Sequence, residues 1–230
     1  MISVTSATLK NNRNHGVRSM KIGIIQASSQ AGKNRLIYDT VKKYAAGSEV
    51  INFGCTEDEA EKYSYIEISV LAGLLLSSGA VDFIVTGCSS GQGMMLACNS
   101  FPGVLCGYAP SPADAYLFAQ INNGNAVSLP LGEEYTWAGQ ENFEATVARL
   151  FSEPFGQGYP RGEAERKLRD TLLLKSIRAA GQVPAAELLD SLDRDFTDRI
   201  LRKQDVTAYI LAHGKGPAAD WLRKHEKEKA

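Results

Sequence analysis

The chain has 230 residues, with 25 basic against 26 acidic side chains and a formal charge of -1. That length suits one α/β domain with an appendage, and the near-neutral balance gives no drive toward nucleic acid or a membrane surface. No run approaches the roughly 20 apolar residues that cross a bilayer.

The opening residues lack the charged-then-apolar layout of a signal peptide. The four cysteines, Cys55, Cys88, Cys98 and Cys106, have no CxxC spacing and no disulfide density. Free thiols in a reducing cytoplasm are therefore expected.

In chain order, residues 1–19 read as a polar N-terminal arm, with Met20 to Ile25 as the opening strand. The small-residue loop Gln26 to Lys33 follows it, then a helix from Asn34 to Tyr44 with Leu36, Ile37, Val41 and Tyr44 at helical spacing. Glu49 to Phe53 reads as the second strand, Glu57 to Ser77 as a helix, and 81–85 as the third strand. Gly103 to Tyr108 is a fourth strand. Ser111 to Ile121 is a helix with Ser111 as cap and proline in its first turn. Ala126 to Leu131 makes a fifth strand and Asn142 to Leu150 a helix. This alternation predicts a doubly wound, Rossmann-like parallel sheet of about five strands, helices on both faces, over residues 20–155. After a linker around Phe155 to Pro160 the composition turns helical. Glu163 to Ala180, Ala185 to Arg202 and Val206 to Ala212 form an extension over 156–230 whose Lys/Glu-rich end reads as a solvated face.

The stretch with chemistry in it is 83–97. An apolar run, Phe83 to Val85, leads into Gly87-Cys88-Ser89-Ser90-Gly91-Gln92-Gly93, and Met94 to Ala97 begin a helix. Strand, glycine turn and helix start place unpaired amides around one point, which suits an anion. A thiol there is favoured as thiolate, so Cys88 is the candidate base or nucleophile. Ser90 is a candidate hydroxyl, although it could equally cap the helix. Both small-residue loops fall at C-terminal strand ends, where ligands of such sheets sit. The first loop lacks the leading Gly and the Ser/Thr after Lys33 of a nucleotide phosphate loop. Three histidines, His15, His213 and His225, show no metal-ligand pattern, and neither a metal nor a cofactor is expected.

These pieces resemble the ribose-5-phosphate isomerase B and galactose-6-phosphate isomerase family over roughly residues 20–155. The likeness rests on Lys21-Ile-Gly-Ile, Val50-Ile-Asn-Phe-Gly54, Cys88-Ser-Ser-Gly-Gln-Gly93 with Ala97-Cys-Asn99, and Gln120-Ile-Asn-Asn-Gly-Asn125 leading to Leu131-Gly132. The resemblance implies an aldose–ketose isomerase acting on a sugar or sugar phosphate through an enediolate. Cys88 would be the base, Ser90 its neighbouring hydroxyl, and the amides of Gly91, Gln92, Gly93 and Met94 the oxyanion donors. Ser29, Gln30, Tyr63, Asn122, Arg161 and Arg166 fall at or near substrate-binding positions. It also implies a homodimer or larger oligomer whose sites take residues from a neighbouring chain. Apolar Leu168, Leu172, Leu173 and Ile177 would supply a face for it.

The chain departs from the family at four places. Ser29 and Gln30 replace an Asp-His pair, Ile121 replaces a ring-opening His, and Glu134 stands where members carry a phosphate-contacting Arg. A second function class fits those losses: a non-catalytic carbohydrate-binding relative, or a partner subunit of a hetero-oligomeric isomerase.

Overall fold

Five short strands form one parallel sheet in the computed structural model, which describes residues 19–135 and 137–229. The arm expected over 1–19, His15 included, lies almost wholly outside the described residues. The strands are β1 (Lys21–Ile24), β2 (Glu49–Asn52), β3 (Phe83–Cys88), β4 (Cys106–Tyr108) and β5 (Ala126–Pro130), in the order β2-β1-β3-β5-β4. β3 and β5 are buried along their whole length, as parallel strands covered on both faces must be. From β1 the chain first winds outward to β2, then returns to place β3 on the other side of β1. The crevice between the C-terminal ends of β1 and β3 is therefore the switch point of the sheet.

On one face lie α1 (Asn34–Tyr44), α4 (Pro112–Leu117) and α5 (Gly139–Leu150), which close over Ile22, Ile24, Phe83, Val85 and Val127. The other face carries α2 (Tyr65–Ser77) and α3 (Gln92–Ser100), against Ile25, Phe53 and Ile84. The chain then continues as helices: α6 (Ala164–Ala180), α7 (Ala185–Ser191), α8 (Arg194–Ile200), α9 (Gln204–His213) and α10 (Gly216–Lys229). Leu189, Ile200, Leu201, Val206, Ile210, Trp221 and Leu222 from these helices join the same core as α2. This explains why α2 is apolar nearly all round: the sheet takes one side and α8 to α10 the other.

Several expected boundaries move, each for a local reason. The helix expected from Glu57 begins at Tyr65, because Ser64 and Glu67 form a capping box there. Glu67 N–H donates to Ser64 Oγ (3.3 Å) and Ser64 N–H to Glu67 Oε2 (2.7 Å). The helix expected over 185–202 is two helices, since Leu192 is extended and Asp193 caps the second by accepting from Phe196 N–H at 3.0 Å. The helix after Ser111 keeps its predicted cap and proline but finishes as a π turn, Phe118–Asn122. The charged end is solvated on one side only. In α10, Ala218, Ala219, Trp221 and Leu222 are buried, and Trp221 Nε1–H donates to Asp190 at 2.7 Å.

Candidate active site

The turn after β3 is shaped by close approach. Gly91 has φ +73°, and a Cβ there would lie 2.8 Å from Pro130 N and from Tyr108 Cε2. Only glycine fits both the left-handed backbone and the space. Ser128 Oγ–H donates to Gly91 O at 2.7 Å, and Met95 N–H makes the first helical bond to the same carbonyl at 3.0 Å. The amides of Gln92, Gly93 and Met94 thus have no acceptor within the helix, the ordinary state of a first turn. Cys88 closes β3 just before this turn. Its carbonyl accepts from Leu131 N–H at 3.0 Å, and its side chain reaches the crevice. Cys88 is 8% exposed, whereas Cys55 and Cys98 are fully enclosed.

The crevice is a groove of about 560 Å³ whose lining includes Ser28, Ser29, Tyr63, Cys88, Ser90 and Gly93. Its floor is cross-linked. Ala27 N–H donates to Gly87 O at 3.0 Å, Gln26 N–H to Gly54 O at 3.1 Å, and the Gln26 side chain to Cys55 O at 2.6 Å. Ser28 and Tyr63 are joined twice, Ser28 N–H to Tyr63 O (3.0 Å) and Tyr63 N–H to Ser28 Oγ (2.8 Å). Gln30 Nε2–H donates to Ser89 Oγ at 2.9 Å, bridging the first glycine loop to the second. Burial pushes the Tyr63 phenol up from its ordinary value, against the opposing pull of Lys203. The Cys55 thiol is also raised by burial, with Ser28 and Lys203 opposing.

Of the residues singled out from sequence, Ser29, Gln30, Tyr63, Cys88, Ser90 and the Gly91–Met94 turn come together at this one edge. Met94 is buried and offers only its backbone, and the Gln92 side chain is exposed. Asn122, Arg161 and Arg166 do not join them. β3 and β5 pair from Ile84↔Ala126 to Cys88↔Pro130, so Asn122 lies beyond the opposite edge. At about 3.3 Å per residue, that is on the order of 13 Å or more of strand from Cys88. Arg161 donates to Gly158 O (2.7 Å) and Gln120 Oε1 (3.2 Å) and pairs with Glu153. Arg166 pairs with Glu163 and with Asp170 (3.0 Å).

Sequence reasoning overlooked Lys62, Ser64, Tyr65, Ser89 and Tyr135, all of which line the groove. The Ser64-to-Glu67 capping box was the available signal for Ser64 and Tyr65. Tyr135, and not Glu134, faces the groove from the turn after β5, while Glu133 pairs with Lys33 at 3.2 Å. Among the described residues no cluster of His, Cys, Asp and Glu could hold a metal ion, and no helix is long and apolar enough to cross a membrane.

Comparisons with known proteins agree with this architecture. The family model described as Ribose/Galactose Isomerase matches residues 22–168. A crystal structure of 4-deoxy-L-threo-5-hexosulose-uronate ketol-isomerase, complexed with a tartrate, is 38% identical. The match covers 91% of this chain and 98% of that one, with a TM-score of 0.83. A ribose-5-phosphate isomerase from Vibrio parahaemolyticus is 35% identical over 90% of this chain and 99% of its own, also at 0.83. Ribose-5-phosphate isomerase B of Clostridium thermocellum is 25% identical with a TM-score of 0.57, and its whole length corresponds to 71% of this chain. No curated protein sequence matches significantly. By the family model matched over residues 22–168 and the 38% and 35% identity to the ketol-isomerase and the Vibrio parahaemolyticus isomerase over 91% and 90% of its length, the chain belongs to the ribose/galactose isomerase family of sugar isomerases.

Proposed function

We propose that this protein interconverts an aldose and a ketose through an enediolate, with Cys88 as the base and an open-chain sugar acid as substrate. The observation that carries it is the Cys88 thiol set at the start of an amide-rich helix turn, in a groove that no histidine among the described residues lines. Moving a proton between adjacent carbons needs a base for the carbon acid, donors for the developing oxyanion and a grip on the far end. Cys88 supplies the first and the amides of Gly91 to Met94 the second. Ser29, Gln30, Tyr63 and Ser90 supply hydroxyl, amide and phenol contacts to the substrate's oxygens.

The 38% identical ketol-isomerase names a substrate class that suits what this chain lacks. A 4-deoxy-5-hexosulose uronate is an aldehyde with no hydroxyl at C4 and a ketone at C5. The usual furanose and pyranose rings of an aldose need one of those hydroxyls, so such a substrate has no ring of that kind to open. A chain with Ile121 in place of the ring-opening histidine is then not handicapped. The far end is a carboxylate with one charge, which reduces the need for the phosphate-binding arginine replaced by Glu134. Arg161 and Arg166 are already paired with carboxylates of their own chain.

Asn122 enters this scheme through a second copy whose amino-terminal sheet edge meets the Cys88 edge of the first, while Arg161 and Arg166 stay with their own carboxylates. Exposed Leu173 (57%) and Ile177 (61%) on α6 supply apolar surface for that contact. With the thiol as base, a reducing cytoplasm is the fitting compartment.

The test is solvent deuterium incorporation, followed by NMR, into the hexosulose uronate, ribose 5-phosphate and galactose 6-phosphate, with Cys88→Ala as control. Exchange into the uronate that vanishes in Cys88→Ala is expected, with little into the phosphates. Undiminished exchange in Cys88→Ala would remove the thiol from the mechanism, and preferred exchange into ribose 5-phosphate would remove the sugar-acid assignment. No exchange with any compound would favour a binding or partner-subunit role.

A further inference from the structure

Residues 53–64, between β2 and α2, have no helix or strand of their own, yet they end in the groove-lining run of Lys62, Tyr63 and Ser64. A connection of that length keeps one shape only if something outside it holds it. Gln26 and Ser28 hold its two ends from the first loop, and the groups that hold its middle come from the C-terminal segment. Lys203, in the turn between α8 and α9, is 4% exposed, and its Nζ meets Glu59 Oε2 at 2.9 Å and Asp205 Oδ2 at 3.2 Å. Glu59 in turn accepts from Thr56 N–H through its other oxygen at 2.9 Å. One turn earlier, Arg199 of α8 pairs with Glu67 of the capping box. It also reaches Glu61 Oε2 (3.1 Å) and donates to Lys62 O (2.6 Å). Both cations lie near the Tyr63 ring, Lys203 Nζ at 5.6 Å and the Arg199 guanidinium at 5.7 Å from its centre. The family model stops at residue 168, and the Clostridium thermocellum isomerase is spanned in full by 71% of this chain. The two cations of this clamp thus lie outside the part of the chain that the family model matches, while the carboxylates they hold at 59, 61 and 67 lie inside it.

We infer that Lys203 and Arg199 are positioning residues of the isomerase site, holding 53–64 in the shape that presents Lys62, Tyr63 and Ser64 to the substrate. The inference rests on the groove being the site proposed above. Neither residue lines the groove, so they act through Tyr63 and its neighbours.

The experiment compares wild type, Lys203→Met and Arg199→Lys by amide hydrogen exchange and by kinetics on the hexosulose uronate. Lys203→Met is expected to exchange its 55–64 amides about tenfold faster while β1 and β3 stay protected. Its kcat/KM should fall by about 10- to 100-fold, carried more by KM than by kcat, as expected of displaced substrate contacts. Arg199→Lys, which keeps the charge but loses the forked donor set, should move both readouts the same way by less.

Wild-type exchange over 55–64, or faster exchange spread evenly over the sheet, would overturn the inference. So would a lowered melting temperature with unchanged KM and kcat. If Lys203→Met does not fold, Arg199→Lys decides, since its side chain is 40% exposed. If the wild-type protein turns over no sugar, the proposed function fails. Exchange, together with the rate of Cys88 alkylation by iodoacetamide, then still judges the clamp.

Discussion

Replacing Gly91 by alanine separates two physical costs at one residue of the candidate site. The first is backbone: at φ +73° a Cβ crowds its own chain, worth about 1–2 kcal/mol. The second is packing. The added methyl would sit 2.8 Å from Pro130 N and Tyr108 Cε2 and 2.9 Å from Leu129 C. Two of these neighbours are backbone atoms of paired β5, which cannot move aside as a flexible side chain can, so about 1–3 kcal/mol more is expected. The sum is about 2–5 kcal/mol, a large share of the roughly 5–15 kcal/mol that stabilises a typical fold.

Gly47 provides the control. It has φ +83° with nothing within 4 Å of an added methyl, so Gly47→Ala carries the backbone cost alone. Thermal unfolding by circular dichroism should show Gly91→Ala melting several degrees below Gly47→Ala, at about 2–4 °C per kcal/mol for a chain of this size. Activity should separate further, because moving Gly91 also turns the amides of Gln92 to Met94 away from the oxyanion they are proposed to hold. Equal melting temperatures for the two variants, with full turnover in Gly91→Ala, would refute the reasoning.

Three further outcomes are expected. Trp221→Ala removes a buried ring stacked on His225 and hydrogen-bonded to Asp190, so urea unfolding should show a loss of about 3–5 kcal/mol; a solvated C-terminal helix would lose almost nothing. Glu67 is pulled up by burial, but the Ser64 bonds and Arg199 outweigh this and hold it below the ordinary carboxylate value. A carboxyl depressed in the folded state stabilises above its ordinary value of about 4.3, and that stability disappears as the pH falls through its folded value. Melting curves from pH 7 to 2 should therefore lose an acid-sensitive component in Glu67→Gln, and superimposable profiles would contradict the capping role. Brief iodoacetamide treatment followed by peptide mass mapping should label Cys88 before Cys55, Cys98 or Cys106, because only Cys88 lines the groove; first labelling elsewhere would contradict the site.

The thiol-bearing turn was legible because its ingredients are local. An apolar run, glycines, a thiol and a helix start lie within 83–97, and backbone sterics at Gly91 allow few alternatives. The alternation of strand and helix also determined the fold class, since the periodicity of each element is carried by neighbouring residues. What exceeded the sequence was long-range. Ser89, not Ser90, accepts from Gln30, 59 residues away, because which hydroxyl faces the first loop depends on how the two loops are docked.

Asn122 and the two arginines could be matched by motif, but their place at the opposite sheet edge follows from the β3–β5 register. The charged C-terminal end read as solvated because its charges dominate the composition. Its four buried positions show only when α2 offers an uncovered apolar side for them to meet. Lys203 looked like one of many lysines. Only the fold brings Glu59 to it, and an ion pair across more than a hundred residues leaves no pattern in a single sequence. Residues near in sequence therefore determined the sheet and the thiol turn, because local sterics and periodicity act on neighbours. Tertiary packing alone decided how the groove wall is held, because it creates the contacts between distant segments.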